Sequence, residues 1–527
     1  MLSNILSVKV LVNRLTRQRL LSISSLLKLT CIAFFSITLI GCQSTTEDGN
    51  SKRKTLADLA NEQGNIEIDS ITLSRSQRAS KLAELYQTIL TLEPNKEVRA
   101  QIEYRLVQMN TQAYELMDEQ ELTDIESLQK SDEALNALII SYQDLITRFP
   151  ERSDNEWMQY QLSKALDLQG KSKESLLQME VLLDRYPQSQ YSAELHFRRG
   201  DIYYNFQEYP AALKAYSSAS KTASTDINND TYYINSRYMS AWVLFKLNRL
   251  AEADNAFIGL LDYLVGQENK QRFRNDFSFD KLNPRYASLV SDVQRVLSIS
   301  LSQQEQSESL VSLTKQNKAL INLNLYSHIL FKNLADFLIK NELKYDAELT
   351  YKAYIAMAPD TIWAARYSLA LLKLLEEQGK YSASRTLKQS YVKQFGIHSP
   401  FWKKAHAAKG DESLTEREIN NEILPNLLRF SYQHSRRLYA NAQRLTAKEK
   451  RRKAFINTSN ALSTYLEFAK LPQANYQQNK PKLSVSLLAD ELLFADANFE
   501  AKQYQLALTT DQLIAYNIEL IVSLTNS

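Results

Sequence analysis

The stretch from Glu194 to Ala219, ELHFRRGDIYYNFQEYPAALKAYSSA, decides the fold. Gly200 is followed three residues later by Tyr203, and nine residues after that by Ala212. Small residues at such points let two helices approach closely, and aromatic side chains fill the space between neighbouring helix pairs. The spacing therefore predicts a helix, a short turn and a second helix that packs back on the first.

Related patterns recur along the chain. Three further clear units lie at Leu162 to Pro187, Ala241 to Phe257 and Phe331 to Pro359. Partial units lie before Pro94, before Pro150, from Trp363 to Phe395 and from Glu491 to Ile514. One hairpin cannot bury its apolar stripe alone, so adjacent hairpins must stack and share a core. The sequence predicts an all-α fold, an α-solenoid of stacked helix hairpins.

The unit around Gly200 resembles the tetratricopeptide repeat (TPR), a helix–turn–helix motif of about 34 residues. The overlapping stretch from Arg185 to Tyr216 is similar to repeats of the BamD and YbgF types of periplasmic TPR protein. The chain as a whole resembles the long TPR lipoproteins of gammaproteobacteria. The resemblance implies a stack of TPR hairpins that binds protein or peptide partners.

The composition excludes several other classes of protein. Glycine and proline number only 10 each in 527 residues, which disfavours sandwiches, barrels and glycine-rich phosphate loops. The net charge of +3 argues against a general nucleic-acid surface. The five histidines are scattered, and none has a second ligand at metal-binding spacing. We therefore predict no enzyme activity, no cofactor, no metal site and no nucleic-acid partner.

The N-terminus has the features of an export signal. A basic region over 1–28 precedes an apolar run over 29–41, which ends in Leu39-Ile40-Gly41-Cys42. This ending resembles a bacterial lipobox and predicts a lipoprotein signal peptide over 1–41, with lipid on Cys42. A plain signal peptide, or an uncleaved anchor with an incidental cysteine, is the alternative.

Gln43 follows the lipidated cysteine, where an aspartate would retain an enterobacterial lipoprotein in the inner membrane. By resemblance to that sorting rule, we expect a lipid anchor on the periplasmic face of the outer membrane. Residues 42–80 are polar and are predicted to form a flexible tether.

Changes in the pattern divide the rest of the chain into four parts. We predict an N-terminal TPR array over 81–265, a linking helix and loop over 266–318, a second TPR array over 319–400 and a C-terminal helical region with a partial repeat over 401–527.

Side chains that bind a partner are expected on the first helix of each unit, because that helix lines the groove in TPR solenoids. On two neighbouring units, this reasoning selects Asp201, Tyr204, Asn205, Tyr238, Trp242 and Lys246. Aromatic rings with a few polar groups suit a peptide-binding surface, since rings supply buried area and polar groups fix the peptide's position. Each of these residues could equally pack between repeats.

A dense basic cluster lies in the C-terminal region, between long amphipathic helices predicted over Glu416 to Ala447 and Ala454 to Lys470. Its members are Lys448, Lys450, Arg451, Arg452 and Lys453, with Arg436, Arg437 and Arg444 upstream. Behind a lipoprotein signal, such a cluster would meet anionic lipid headgroups, an acidic polymer or an acidic partner. It could also be a solvated helix junction.

Two functions fit these observations. The first is a lipid-anchored periplasmic scaffold that binds protein or peptide partners in envelope assembly. The alternative is a cell-wall-associated regulator or carrier that binds peptidoglycan or its synthases and hydrolases.

Overall fold

The computed structural model describes residues 75–92, 95–115, 125–224, 230–267, 277–407, 418–471 and 485–525. Contacts divide the chain into two units, 1–80 and 81–527, and of the first unit only 75–80 are described. The predicted signal peptide, Cys42 and most of the predicted tether therefore lie outside the described residues.

The part of the chain that the structure describes is built of α-helices and contains no β-strand. The first nine helices are α1 (Arg75–Thr91), α2 (Lys96–Glu115), α3 (Ile125–Arg148), α4 (Asn155–Leu168), α5 (Ser172–Arg185), α6 (Ser192–Asn205), α7 (Tyr209–Ala223), α8 (Asp230–Lys246) and α9 (Leu250–Gly266). The next seven are α10 (Ala287–Ser302), α11 (Ser307–Gln316), α12 (Leu323–Lys340), α13 (Lys344–Met357), α14 (Ile362–Glu377), α15 (Tyr381–Phe395) and α16 (Pro400–Ala407). The last four are α17 (Leu424–Gln443), α18 (Lys448–Ala469), α19 (Val485–Glu500) and α20 (Tyr504–Thr525).

Consecutive helices pack against each other as hairpins. The pairs are α4 with α5, α6 with α7, α8 with α9, α12 with α13, α14 with α15, α17 with α18 and α19 with α20. The second helix of one pair also contacts the first helix of the next, as α7 contacts α8 and α13 contacts α14. The predicted all-α stack of helix hairpins is thus confirmed.

The small and aromatic residues that predicted the first hairpin form its interior. Ala212, Tyr216 and Ala219 on α7 have no solvent-exposed surface. A Cβ atom at position 200 on α6 would lie 2.5 Å from the Tyr216 ring. Glycine at 200 therefore allows the ring to lie directly against the backbone of α6.

The tight hairpin turns share one backbone conformation. Their middle residues, all with φ between 57° and 81°, are Gly170, Gln207, Asn248, Glu342, Gly379 and Lys502. In each turn the next N–H group bonds back to a carbonyl five residues earlier, as Glu208 does to Tyr203 at 2.9 Å. This left-handed helix ending normally favours glycine. Four of the six turns use another residue, which is how a glycine-poor chain forms so many hairpins.

The largest apolar core runs without a break through the middle of the chain. Its buried members extend from Ile234 to Leu375 and include Val293 on α10 and Leu310 on α11. Helices within the predicted linking segment, 266–318, therefore share a core with the hairpins on both sides. The boundaries assigned to the two arrays stay predictions.

The C-terminal helices differ in detail from those expected. α18 begins at Lys448 rather than Ala454, so the basic run lies within its first turns. A short π-helix, Ile419–Ile423, precedes α17.

Candidate functional site

The first helices of consecutive hairpins are joined by a polar network, which we call the first-helix network. The Tyr160 hydroxyl on α4 donates to both carboxylate oxygens of Glu194 on α6, at 3.0 and 2.9 Å. Arg198 Nη2 lies 3.2 Å from Asp167 Oδ2, which returns the connection to α4. These contacts hold the charged side chains of Glu194, Arg198 and Asp167 in place where the two hairpins meet.

On α6, the structure places the three predicted binding residues in different settings. The Tyr216 hydroxyl donates to Asp201 Oδ1 at 2.6 Å, within the hairpin. Burial raises the pKa of Asp201 to about 7. The Tyr204 ring packs edge-on against Tyr209, with centroids 5.6 Å apart, and Asn205 is exposed at the end of the helix. Asp201 thus has a structural partner, while Asn205 faces solvent.

On α8, two of the predicted residues meet at one carboxylate. The Tyr238 hydroxyl donates to Asp292 Oδ2 on α10 at 2.6 Å, and Trp242 Nε1 donates to the same oxygen at 3.3 Å. Lys246 is exposed near the turn that follows. The structure therefore brings Tyr238 and Trp242 together against α10. Binding of a partner by the six residues stays a prediction.

A groove that the sequence analysis missed lies between α7, α8 and α9. It has a volume of about 370 Å³, and we call it the serine groove. Its lining residues are Ser217, Ser220, Lys221, Ser224, Tyr233, Arg237, Ser240 and Ala256. Among the described residues, this lining has two cations and five hydroxyl groups and no carboxylate. The available signal was the spacing of Ser217, Ser220 and Ser224, three and four residues apart along α7 and at its C-terminal cap.

Arg237 is held in the serine groove by its neighbours. Its Nη1 atom donates to the Tyr233 hydroxyl at 2.9 Å, and its guanidinium lies over the Tyr233 ring, 5.4 Å from the centroid. A Cβ atom at position 259 on α9 would come within 3.1 Å of Arg237 Nη2. Glycine at 259 therefore leaves room for the guanidinium beside α9.

The basic cluster on α17 and α18 is partly used within the protein. Arg436 Nη2 lies 2.6 Å from Asp490 Oδ1, and Arg451 Nη2 lies 2.9 Å from Glu500 Oε1. Both acids belong to α19, so these ion pairs help to attach that helix to the preceding hairpin. Arg452 is half-buried, with its Nε atom 3.4 Å from Glu449 Oε2. The exposed members of the cluster are Arg437, Arg444, Lys448, Lys450 and Lys453.

Buried histidines have packing roles. His328 is buried and stacks on Trp363 with centroids 3.9 Å apart, and burial lowers the His328 pKa to about 3. Burial likewise lowers the pKa of His196 to about 4. Across the described ranges, no three His, Cys, Asp or Glu side chains are grouped as metal ligands would be. None of the helices in those ranges is long and apolar enough to span a bilayer.

No protein-family model matches the sequence, and no curated protein matches it. Among solved structures, the chain is similar to a tetratricopeptide repeat protein from Parabacteroides merdae, with 14% identity, 56% of this chain and 97% of that chain covered, and a TM-score of 0.24. It is also similar to the TPR domain of P58(IPK), with 13% identity, 68% of this chain and 99% of that chain covered, and a TM-score of 0.19.

A third similar structure is that of Naa15/Naa10 bound to HypK-THB, with 13% identity, 79% of this chain and 63% of that chain covered, and a TM-score of 0.20. At TM-scores this low, the structures do not superimpose over their whole length. The fold assignment therefore rests on the hairpins and their contacts in this protein.

Proposed function

We propose that this chain is a non-enzymatic scaffold that binds protein or peptide partners through the first helices of its hairpins and acts in envelope assembly. The observation that carries the proposal is the first-helix network, in which Tyr160, Glu194, Arg198 and Asp167 hold one another between two hairpins. Repeated hairpins create extended binding surfaces, and side chains fixed before binding lose little entropy when a partner docks.

The proposal includes a lipid anchor at Cys42 on the periplasmic face of the outer membrane. Its support is the sequence alone: the apolar run over 29–41, the Leu39-Ile40-Gly41-Cys42 ending and the Gln43 that follows. The lipid anchor and the polar tether would hold the scaffold near the membrane surface, where it would meet its partners.

Site-specific photocrosslinking tests partner binding in the native host. We expect a photoreactive residue at Asn205 or Lys246 to crosslink the same partner, because both positions are exposed on neighbouring first helices. Thr386, exposed on α15, is the control position. Arg198→Glu should abolish both crosslinks, since it places a like charge beside Glu194 and Asp167. Absence of crosslinks at both positions, or equal crosslinks at the control, would contradict the proposal.

Metabolic labelling tests the anchor separately. Labelled palmitate should enter the full chain and be lost in Cys42→Ala, and globomycin should block processing. A chain that is never labelled has no lipid anchor, and the location then fails while the crosslinking result stands.

A further inference from the structure

The serine groove has the chemistry of an anion site. Arg237 is half-buried, and the ion pairs of the described residues give it no carboxylate partner. Its contacts with Tyr233 fix the guanidinium without neutralising its charge. A partly buried cation without an anion is costly, so the groove favours a ligand that brings a negative charge.

The carboxylate on α8 closest in sequence to Tyr233 is already engaged. Asp230 Oδ1 accepts from the Tyr263 hydroxyl at 2.9 Å, and Asp230 Oδ2 lies 3.0 Å from Arg285 Nη2. Lys221 adds a second cation at the exposed edge. The described lining of the groove therefore presents net positive charge to a ligand.

The remaining lining suits a peptide rather than a bare ion. Ser217 and Ser220 on α7 line the groove together with Ser240 on α8, and hydroxyl groups both donate to and accept from backbone amides. The Tyr233 ring adds an apolar contact. A volume of about 370 Å³ exceeds what one carboxylate needs and leaves room for neighbouring peptide groups.

The serine groove lies on a different face of α8 from the predicted binding residues Tyr238 and Trp242. Tyr233, Arg237 and Ser240 lie four and three residues apart and share one face of α8. Tyr238 and Trp242 lie on the opposite face, against Asp292 of α10. A ligand in the groove would therefore occupy a second surface of the same hairpins.

We propose that the serine groove binds an acidic segment of a partner protein, with Arg237 holding a Glu or Asp carboxylate and the serine hydroxyls holding the peptide backbone. The inference rests on the proposed scaffold function and adds the chemistry of a segment that the scaffold recognises.

Fluorescence anisotropy with the full chain tests this inference. The probes are a short fluorescein-labelled peptide rich in Glu and its counterpart with Gln at every Glu. We expect the Glu peptide to bind at least tenfold more tightly than the Gln peptide, and more weakly as salt rises. Arg237→Met should lower the affinity about tenfold or more, since Met keeps the apolar stem and removes the charge.

Two further variants keep the experiment decisive. Ser220→Leu fills the groove without changing charge and should also weaken binding. Arg385→Met removes an exposed arginine on α15 and should leave binding unchanged. Far-ultraviolet circular dichroism confirms that each variant is folded.

Equal binding of the two peptides, or full binding by Arg237→Met, would overturn the inference. Displacement of the peptide by inorganic phosphate at equal concentration would also overturn it, because the groove would then be a general anion site. If acidic peptides fail to bind while the crosslinks at Asn205 and Lys246 persist, only the groove assignment fails.

Discussion

At the scale of single residues, two side chains show how much depends on one contact. Tyr216 lies against the backbone of α6 and donates to Asp201, so neither the ring nor the helix can move away easily. Asp254 on α9 is 1% exposed, and only its Oδ2 atom has a partner, Gln304 Nε2 at 2.7 Å. Each arrangement leads to a specific prediction about stability.

We expect Gly200→Ala to lower the free energy of unfolding by about 2 kcal/mol, because the new methyl group meets the buried Tyr216 ring. A loss would show the contact with Tyr216, because Gly→Ala inside an exposed helix usually raises the free energy of unfolding by about 1 kcal/mol. Urea denaturation measures the change. The double variant with Tyr216→Leu should lose less than the sum of the single variants; additive losses would show that the two sites do not touch.

Asp254 makes stability depend on pH. Burial raises the pKa of Asp254 to about 6, so the folded protein favours the protonated form. The stability this form contributes is present below the unfolded pKa, near 3.8, and is lost as the pH rises through 6. Between pH 4 and pH 7, we expect the free energy of unfolding of wild type to fall by about 2 to 3 kcal/mol relative to that of Asp254→Asn.

Urea denaturation of both proteins at the two pH values isolates this effect, since His196 and His328 titrate equally in both. A constant difference between wild type and Asp254→Asn would show that the carboxyl is ionised in the folded protein throughout.

At the scale of elements, the hairpins were predictable and their turns were not. The spacing of Gly200, Tyr203 and Ala212 predicted the helix pair because interior positions accept few residue types. The left-handed turns at Gln207 and Glu342 carry no glycine signal, since the packed helices impose that backbone. Helical spacing selected Asp201 but does not show its hydrogen bond with Tyr216. Binding of a partner by Asp201 stays a prediction.

We expect two substitutions in the turns to change the free energy of unfolding in opposite directions. Glu342→Gly should raise the free energy of unfolding by about 0.5 to 1 kcal/mol, because glycine adopts a φ of 62° without strain. Gly379→Ala should lower it by about 1 kcal/mol through the backbone alone, as a Cβ there meets nothing within 4 Å. Thermal and urea denaturation measure both changes. Equal and same-signed changes would contradict the shared turn conformation.

At the scale of the whole molecule, the apolar cores differ in the length of chain that they join. One core extends from Ile234 to Leu375, while a separate core joins Ala442, Phe455 and Ala501. The sequence pattern predicted stacking but not where cores join, because residues of α10 and α11 carry no repeat signature. The serine groove was missed for a similar reason, since it is formed by three helices together.

We expect Phe257→Ala and Phe455→Ala to destabilise regions of different extent. Each removes a buried ring and should cost about 3 to 5 kcal/mol locally. Hydrogen exchange should show that Phe257→Ala lowers protection from α8 to α14, because buried residues of those helices share its core. Phe455→Ala should act only within α17 to α19. If both variants affect the same helices, the two cores are one cooperative unit.

The most direct test of the stacked hairpins is residue-resolved hydrogen exchange of the full chain. The first three amides of a helix have no carbonyl partner within it, and the fourth bonds to the turn. We expect fast exchange over 172–174, 250–252 and 344–346, with protection beginning at Ser175, Ala253 and Ala347, whose N–H groups bond to Lys171, Arg249 and Leu343 at 2.9, 3.0 and 3.1 Å. Protection that runs unbroken through these positions, or begins elsewhere, would contradict the hairpin assignment.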